Sequence, residues 1–256
     1  MSSYLAKYYT VLRTLCRTDK NTLYVCRDNI DKKQYVVKMG TKREDELNAL
    51  NALVKLKDIP GVVHMYKYLE HKDNMYIIME HLKGPELFNI INDHYTELPR
   101  KKIKHIFKRL LEIMDKVHGM GIVHRDLKAE NILIVQDEPI IIDWGMALFF
   151  EEDLERRFCG SPHYAAPEML KGIHYRGPEV DVWSLGIILY VMLVRGMPYL
   201  EASMSKLVYD VKTCNINYDA LPLTREDKEF LQKIFTPRES RVTITELLKD
   251  PWLNAV

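Results

Sequence analysis

Residues 123–131 read Val-His-Arg-Asp-Leu-Lys-Ala-Glu-Asn, and a second short run, Ile142-Asp143-Trp144-Gly145, follows soon after. No other stretch limits the fold as tightly, because its polar groups are useful only if they converge. Asp126 can accept a proton from an attacking hydroxyl. Lys128 can neutralise charge on a phosphoryl group in transfer, and Asn131 with Asp143 offers the hard oxygen ligands that magnesium prefers. Singly, each would be an ordinary surface residue.

A chain of 256 residues can bury a sizeable core, as one large domain or two lobes. A net charge of +1 argues for neither nucleic acid nor a membrane surface as a partner. The four cysteines (Cys16, Cys26, Cys159, Cys214) are scattered, without a CxxC pair, which favours a reducing intracellular compartment, cytoplasm or nucleus. The start has no secretory apolar region, and Ser2 excludes myristoylation. The longest nearly unbroken apolar run, 182–194, is too short to span a bilayer and reads as a buried helix. With no repeat or low-complexity tract, the expectation is a trimmed catalytic domain with little room for regulatory appendages.

Residues 2–15 fit a short helix running into a first strand. Residues 23–27 and 34–39 read as strands around a turn at 28–33. Residues 42–56 read as a helix, 75–81 as a strand and 98–118 as a long amphipathic helix. The first turns of that last helix carry Arg100, Lys101, Lys102, Lys104, Lys108 and Arg109. They read as a solvated face, with a docking or nucleic-acid patch as the alternative. Thr243 and Glu246 have the spacing of a capping box.

His124-Arg125-Asp126 with Asn131, then Asp143-Trp144-Gly145, then Ala166-Pro167-Glu168, in this order, resemble the eukaryotic-type protein kinases. The resemblance covers nearly the whole chain. It implies an α+β, bilobal kinase fold in one domain, with a small β-rich N-lobe over 1–81 and a larger α-helical C-lobe over 82–256. It also implies ATP and Mg²⁺ as cofactors and a protein hydroxyl as acceptor. Lys38 resembles the strand lysine that grips the nucleotide phosphates; Glu46 is its best-placed partner, with Glu44 as the fallback. The backbones of Glu80 and Leu82 would take the adenine edge, with Met79 behind it and Cys16, Leu23, Val36 and Leu133 lining the pocket. Asp126 would orient and deprotonate the acceptor, Lys128 resembles the lysine of the Ser/Thr-directed branch, and Asn131 and Asp143 would take magnesium. His124 reads as a packed structural histidine, Asp181 as the tie between catalytic loop and buried helix, and Glu168 with Arg241 as a buried ion pair.

Several positions depart from the family. Cys16, Thr18 and Asn21 stand where the phosphate-binding loop has glycines, and Val36 where it has alanine, so weaker ATP binding without loss of chemistry is expected. Asn21, tolerant of the left-handed region, is a partial substitute. Trp144 replaces a phenylalanine and is expected to pack under the 42–56 helix. Arg157 stands where related kinases carry a phosphorylated threonine, and Ser161 aligns with the hydroxyl that bonds the catalytic Asp and Lys. Arg125 is expected to meet fixed carboxylates among Glu151, Glu152, Asp153 and Glu155, giving activity without activation-loop phosphorylation. A homodimer contact or packing by the N-terminal segment would hold Lys38 and Glu46 together.

Glu86 and Glu130 occupy positions that bind substrate arginines in basophilic members, while Val191 replaces a third acid. A basic, Arg-rich protein substrate is therefore expected, with no membrane and no direct nucleic-acid contact required. Small size, the eroded loop and the absent phosphosite are similar to reduced viral kinases, such as those of large insect DNA viruses. Two rivals stand beside this reading. A pseudokinase acting as a binding module is favoured by the missing glycines and Val36, and opposed by the intact Lys38, Asp126, Lys128, Asn131 and Asp143. A small-molecule phosphotransferase is opposed by Ala166-Pro167-Glu168.

Overall fold

The computed structural model describes residues 4–93, 95–150, 159–199, 204–214, 216, 218 and 221–254. A 3₁₀ turn at Leu5–Lys7 leads into β1 (Tyr9–Arg17), β2 (Asn21–Asp28), β3 (Gln34–Thr41), helix α1 (Glu44–Lys55), β4 (Met65–His71) and β5 (Asn74–Glu80). The strands form one antiparallel sheet in the order β1-β2-β3-β5-β4. Side chains alternate between the faces of a strand. Val37 therefore joins Tyr9, Tyr24, Cys26, Tyr76 and Ile78 on the outer face, where Leu5 of the N-terminal turn covers them. Lys38 points the other way, towards α1.

The second lobe begins with α2 (Leu87–Asn92) and α3 (Arg100–Gly119). Short strands follow: β6 (Ile122–Val123), β7 (Ile132–Val135), β8 (Glu138–Ile141) and β9 (Leu148–Phe149). Then come α4 (Pro167–Leu170), α5 (Pro178–Val194), α6 (Met204–Lys212), α7 (Arg225–Ile234), α8 (Ile244–Leu248) and α9 (Pro251–Asn254). The result is the α+β, bilobal arrangement expected of the sequence.

Helix α5 is apolar on every side, as a helix at the centre of a lobe must be. Its residues from Val180 to Met192 are all buried. It ends where Arg195 turns left-handed (φ +55°) and donates to the carbonyls of Asp93 and Thr96 at 2.9 and 2.5 Å. Among the described residues no helix is long and apolar enough to cross a membrane.

Half of the basic run on α3 is paired with acids. Arg100 meets Asp227 at 2.5 Å, Lys102 meets Asp137 at 2.6 Å and Arg109 meets Glu138 at 2.7 Å. The Lys104 ammonium lies 5.1 Å from the centre of the Trp252 ring. With α7 and α9 this face walls an open groove of about 900 Å³. There Lys233 is matched by Asp250 at 2.6 Å, so the groove carries little unbalanced charge.

Two buried polar devices fix the second lobe. Arg241 grips Glu168 through both carboxylate oxygens, at 2.5 and 3.1 Å, and also donates to the carbonyls of Glu179 and Thr236. The two further bonds to backbone carbonyls help offset the cost of burying the guanidinium. Thr243 and Glu246 form the expected capping box at α8, and Thr224 with Asp227 forms a second one at α7 that the sequence reading missed.

Candidate active site

The upper wall of the cleft is set by β3 and α1. Lys38 Nζ lies 3.3 Å from Glu46 Oε2 and 4.0 Å from Asp143 Oδ1. Glu46 is buried, whereas Glu44, two residues earlier and on another side of the helix, is exposed, which decides between the two candidates for the partner of Lys38. The side-chain amide of Asn21 donates to the other Glu46 oxygen at 2.6 Å.

The lower wall is residues 122–131. Asp181, fully buried on α5, accepts the backbone N–H groups of His124 and Arg125 at 2.8 and 2.9 Å and contacts His118 Nε2 at 2.9 Å. Burial pushes the Asp181 carboxyl up, but the His118 bond and charge and the contacts from His124 outweigh it, and the net value is below the ordinary carboxylate range. This grip lets Arg125 sit at φ +65°, a costly conformation for a non-glycine residue, and turns Asp126 towards the cleft. His124 is fully buried, accepts the Asp126 N–H at 3.2 Å and packs 4.7 Å from the Trp144 ring. Burial holds its imidazole below the usual histidine range, so it is neutral and serves the scaffold.

Asp126, Lys128 and Ser161 meet. Lys128 Nζ lies 3.2 Å from Asp126 Oδ2 and donates to Ser161 Oγ at 2.9 Å, while the Ser161 backbone N–H donates to Asp126 Oδ1 at 2.9 Å. The hydroxyl of Ser161 thus reaches the lysine, and its amide reaches the aspartate. Gly160 makes this approach (φ +82°); a Cβ there would stand 2.5 Å from the Arg125 carbonyl oxygen.

The β7–β8 hairpin explains how Asn131 and Asp143, separated in sequence, come to one end of the cleft. Ile132 pairs with Ile141, and the Ile142 N–H donates to the Asn131 carbonyl at 3.0 Å. The Asn131 amide nitrogen is committed to the Asp126 carbonyl at 2.9 Å, leaving its side-chain oxygen as the atom able to ligate a cation. Asp143 accepts the Gly145 N–H at 3.0 Å, and its side chain is half exposed.

Between the walls lies a cleft of about 400 Å³. Cys16, Leu23, Val36, Glu80, Leu82 and Leu133, all selected from sequence, line it together with Met79. Sequence reasoning missed Val63, His81 and Ile142, which line it too. Ile142 carried a signal, as the neighbour of Asp143; Val63 carried none. Glu86 and Glu130, both half-buried, make no ion pair with a described residue, and one Glu130 oxygen is buried without a partner.

Two expectations change. Asn21 is not a left-handed stand-in for glycine: it is the first residue of β2, extended, and its side chain is occupied by Glu46. The N-terminal segment packs on the outer face of the sheet, away from the Lys38–Glu46 pair, so it is not what closes that pair. Trp144 is buried in the same apolar core as Leu50 and Leu53 of α1; its ring lies against His124, and its indole N–H donates to the Ile141 carbonyl at 3.4 Å. The carboxylates foreseen for Arg125 (Glu151, Glu152, Asp153, Glu155) and Arg157 lie outside the described residues. Arg125 itself donates through Nε to the Met146 carbonyl at 2.9 Å.

The protein kinase domain profile matches residues 9–253. The chain is 34% identical over 198 residues to the probable serine/threonine-protein kinase KIN1 homolog of Enterocytozoon bieneusi, covering 76% of this chain and 33% of that protein. It is 36% identical over 209 residues to the probable serine/threonine-protein kinase KCC4 of Saccharomyces cerevisiae, covering 79% and 20%. With sperm motility kinase 2B of Mus musculus it shares 31% over 253 residues, covering 96% and 52%. The chain thus spans between a fifth and about half of the length of these relatives. Lys38 against Glu46 and Asp143, Asp126 against Lys128 and Ser161, and a profile that covers almost every residue place this chain in the protein kinase family.

Proposed function

We propose that the chain is a serine/threonine protein kinase that transfers the γ-phosphoryl group of ATP to hydroxyls in basic, Arg-rich proteins, with Mg²⁺ as the metal. The observation that carries this is the convergence of Asp126, Lys128 and Ser161 across the cleft from Lys38, Glu46 and Asp143. Asp126, half-shielded and steadied by the Ser161 amide, is placed to orient and deprotonate the acceptor. Lys128 supplies positive charge beside it, and Lys38 is positioned for the nucleotide phosphates. Two protein oxygens, from Asn131 and Asp143, suit magnesium, which keeps waters and phosphate oxygens as its remaining ligands. When bound, the ion neutralises charge that develops on the transferring group. In this reading residues 1–256 are one domain, divided at 81/82, and the Lys38–Glu46 pair closes within a single copy.

Glu86 and Glu130 are the groups that would select arginine, because an unpaired carboxylate takes a guanidinium by two parallel charge-assisted bonds. Small basic targets agree with the likeness to reduced viral kinases. One observation favours the rival pseudokinase reading: the Thr18 hydroxyl accepts the N–H groups of Lys20 and Asn21, which removes two amides from the phosphate-binding turn.

Radiolabel transfer from ATP to an Arg/Ser-rich peptide, with magnesium, tests the proposal. Asp126→Asn should lower transfer by about 10²–10⁴-fold. Equal labelling by wild type and variant would sink the enzyme reading. Glu86→Ala with Glu130→Ala should remove the preference for Arg peptides over acidic ones; an unchanged preference would remove the substrate class.

A further inference from the structure

The Asn21 side chain has a task that nucleotide binding does not explain. We infer that Asn21 is a positioning residue which, with Arg43, fastens the β1–β2 turn to α1 and so holds Glu46 against Lys38. The inference rests on the kinase reading above.

Glu46 is 4% exposed, and a buried carboxylate needs partners for both oxygens. Lys38 serves one, and the Asn21 amide serves the other at 2.6 Å. The register makes this reach possible. Asn21 lies opposite Gly40, and Leu23 opposite Lys38. Residues directly opposed in an antiparallel pair share a face, so all four stand on the side that meets α1. A Cβ on Gly40 would stand 2.2 Å from Asn21 Oδ1, so the bare backbone at 40 gives the amide room to lie across β3. The glycine needed for a close approach is thus on β3, not in the turn.

The rest of the turn serves the same end. Thr18 Oγ1 accepts the N–H of Asn21 at 3.0 Å, and the Thr18 N–H donates to the Asn21 carbonyl at 2.9 Å, which fixes the backbone that carries the amide. Arg43, the residue just before α1, donates to the Lys20 carbonyl at 3.2 Å. Residues 43 and 46 are three apart and lie on one side of the helix, so two ties hold its first turn. Asn21 Oδ1 is buried without a partner, so the orientation of the amide is set by what its nitrogen gives to Glu46.

The test uses the full chain in the peptide transfer assay, with kcat, KM for ATP and Tm measured for each variant. Asn21→Ala and Gly40→Ala should each lower kcat by about 10–100-fold, the loss of one hydrogen bond to a charged group. KM for ATP should stay within about threefold, because the interaction acts on chemistry more than on nucleotide binding. In a Glu46→Ala background, which removes the acceptor, Asn21→Ala should add no further loss, a result that a merely structural role would not give. If the alanine variant does not fold, Asn21→Asp keeps the shape, removes the donor, and should lower kcat at least as much. Unchanged kcat in a folded Asn21 variant, or an equal loss in the Glu46→Ala background, would overturn the inference alone. A wild-type chain that transfers no phosphate would overturn the kinase reading and this inference with it.

Discussion

The two walls of the cleft are held in opposite ways. Below, residues 122–131 hang on Asp181, a carboxylate fully withdrawn from water that holds two backbone amides and a histidine. Above, the β1–β2 turn is mostly exposed and is closed by its own Thr18 hydroxyl. A buried network tolerates little change, since each lost partner strands a desolvated polar group. In an exposed turn water takes up whatever is released. The contrast accounts for a lower wall that carries every group of the family pattern and an upper wall without its glycines.

Asp181→Ala is the hardest blow to the lower wall. It should cost about 3–5 kcal/mol of stability, as expected when one partner leaves a buried charged network. Urea denaturation measures it, and a loss within the range of ordinary surface substitutions would erase the contrast. A titration probes the same wall more gently. His124 is pushed down by burial, with Asp181, Asp126 and Asp143 opposing, and His81 in the linker is pushed down by burial and then by Arg13 and Lys83. Such groups bind fewer protons folded than unfolded. Their contribution is complete above the unfolded value of 6.5 and is lost as the pH falls below it. For His124 the slope is at most about 1.4 kcal/mol per pH unit. Thermal melts should show Tm level above neutrality and falling below it; a flat profile to about pH 5 would contradict the burial argument.

The exposed closure of the β1–β2 turn by Thr18 should respond least. Thr18→Gly frees the Lys20 and Asn21 amides and should tighten ATP binding by only about 5–10-fold, the worth of an ordinary hydrogen bond. Calorimetric titration with ATP reads the change. Weaker binding in the variant would mean that the Thr18 closure helps the nucleotide, reversing the comparison.

Sequence periodicity located α1, α3, β2, β3 and β5 to within a residue or two, because each buries a regular apolar face. Strand β4 escaped notice because it is an edge strand whose Tyr66 and Tyr68 face water, so its pattern does not alternate towards a core. The seven residues expected around an adenine (Cys16, Leu23, Val36, Met79, Glu80, Leu82 and Leu133) all line the one cleft, since motif spacing fixes strands that the register then aligns. What could not be read was tertiary and pairwise. The Asn21–Glu46 bond depends on an empty Cβ position at Gly40, on a strand that no motif connects with the turn. The role given to the N-terminal segment failed for a similar reason: its apolar spacing shows that it packs, not on which face.

That outer face has a practical side. The family profile begins at residue 9, yet Leu5 is fully buried over Tyr9, Tyr24, Cys26, Val37, Tyr76 and Ile78. A chain trimmed to the matched segment would bare an oily roof on the small lobe, several side chains wide, and such surfaces find one another in solution. The few residues ahead of the recognised domain belong to its fold, and whoever expresses the protein should leave them in place.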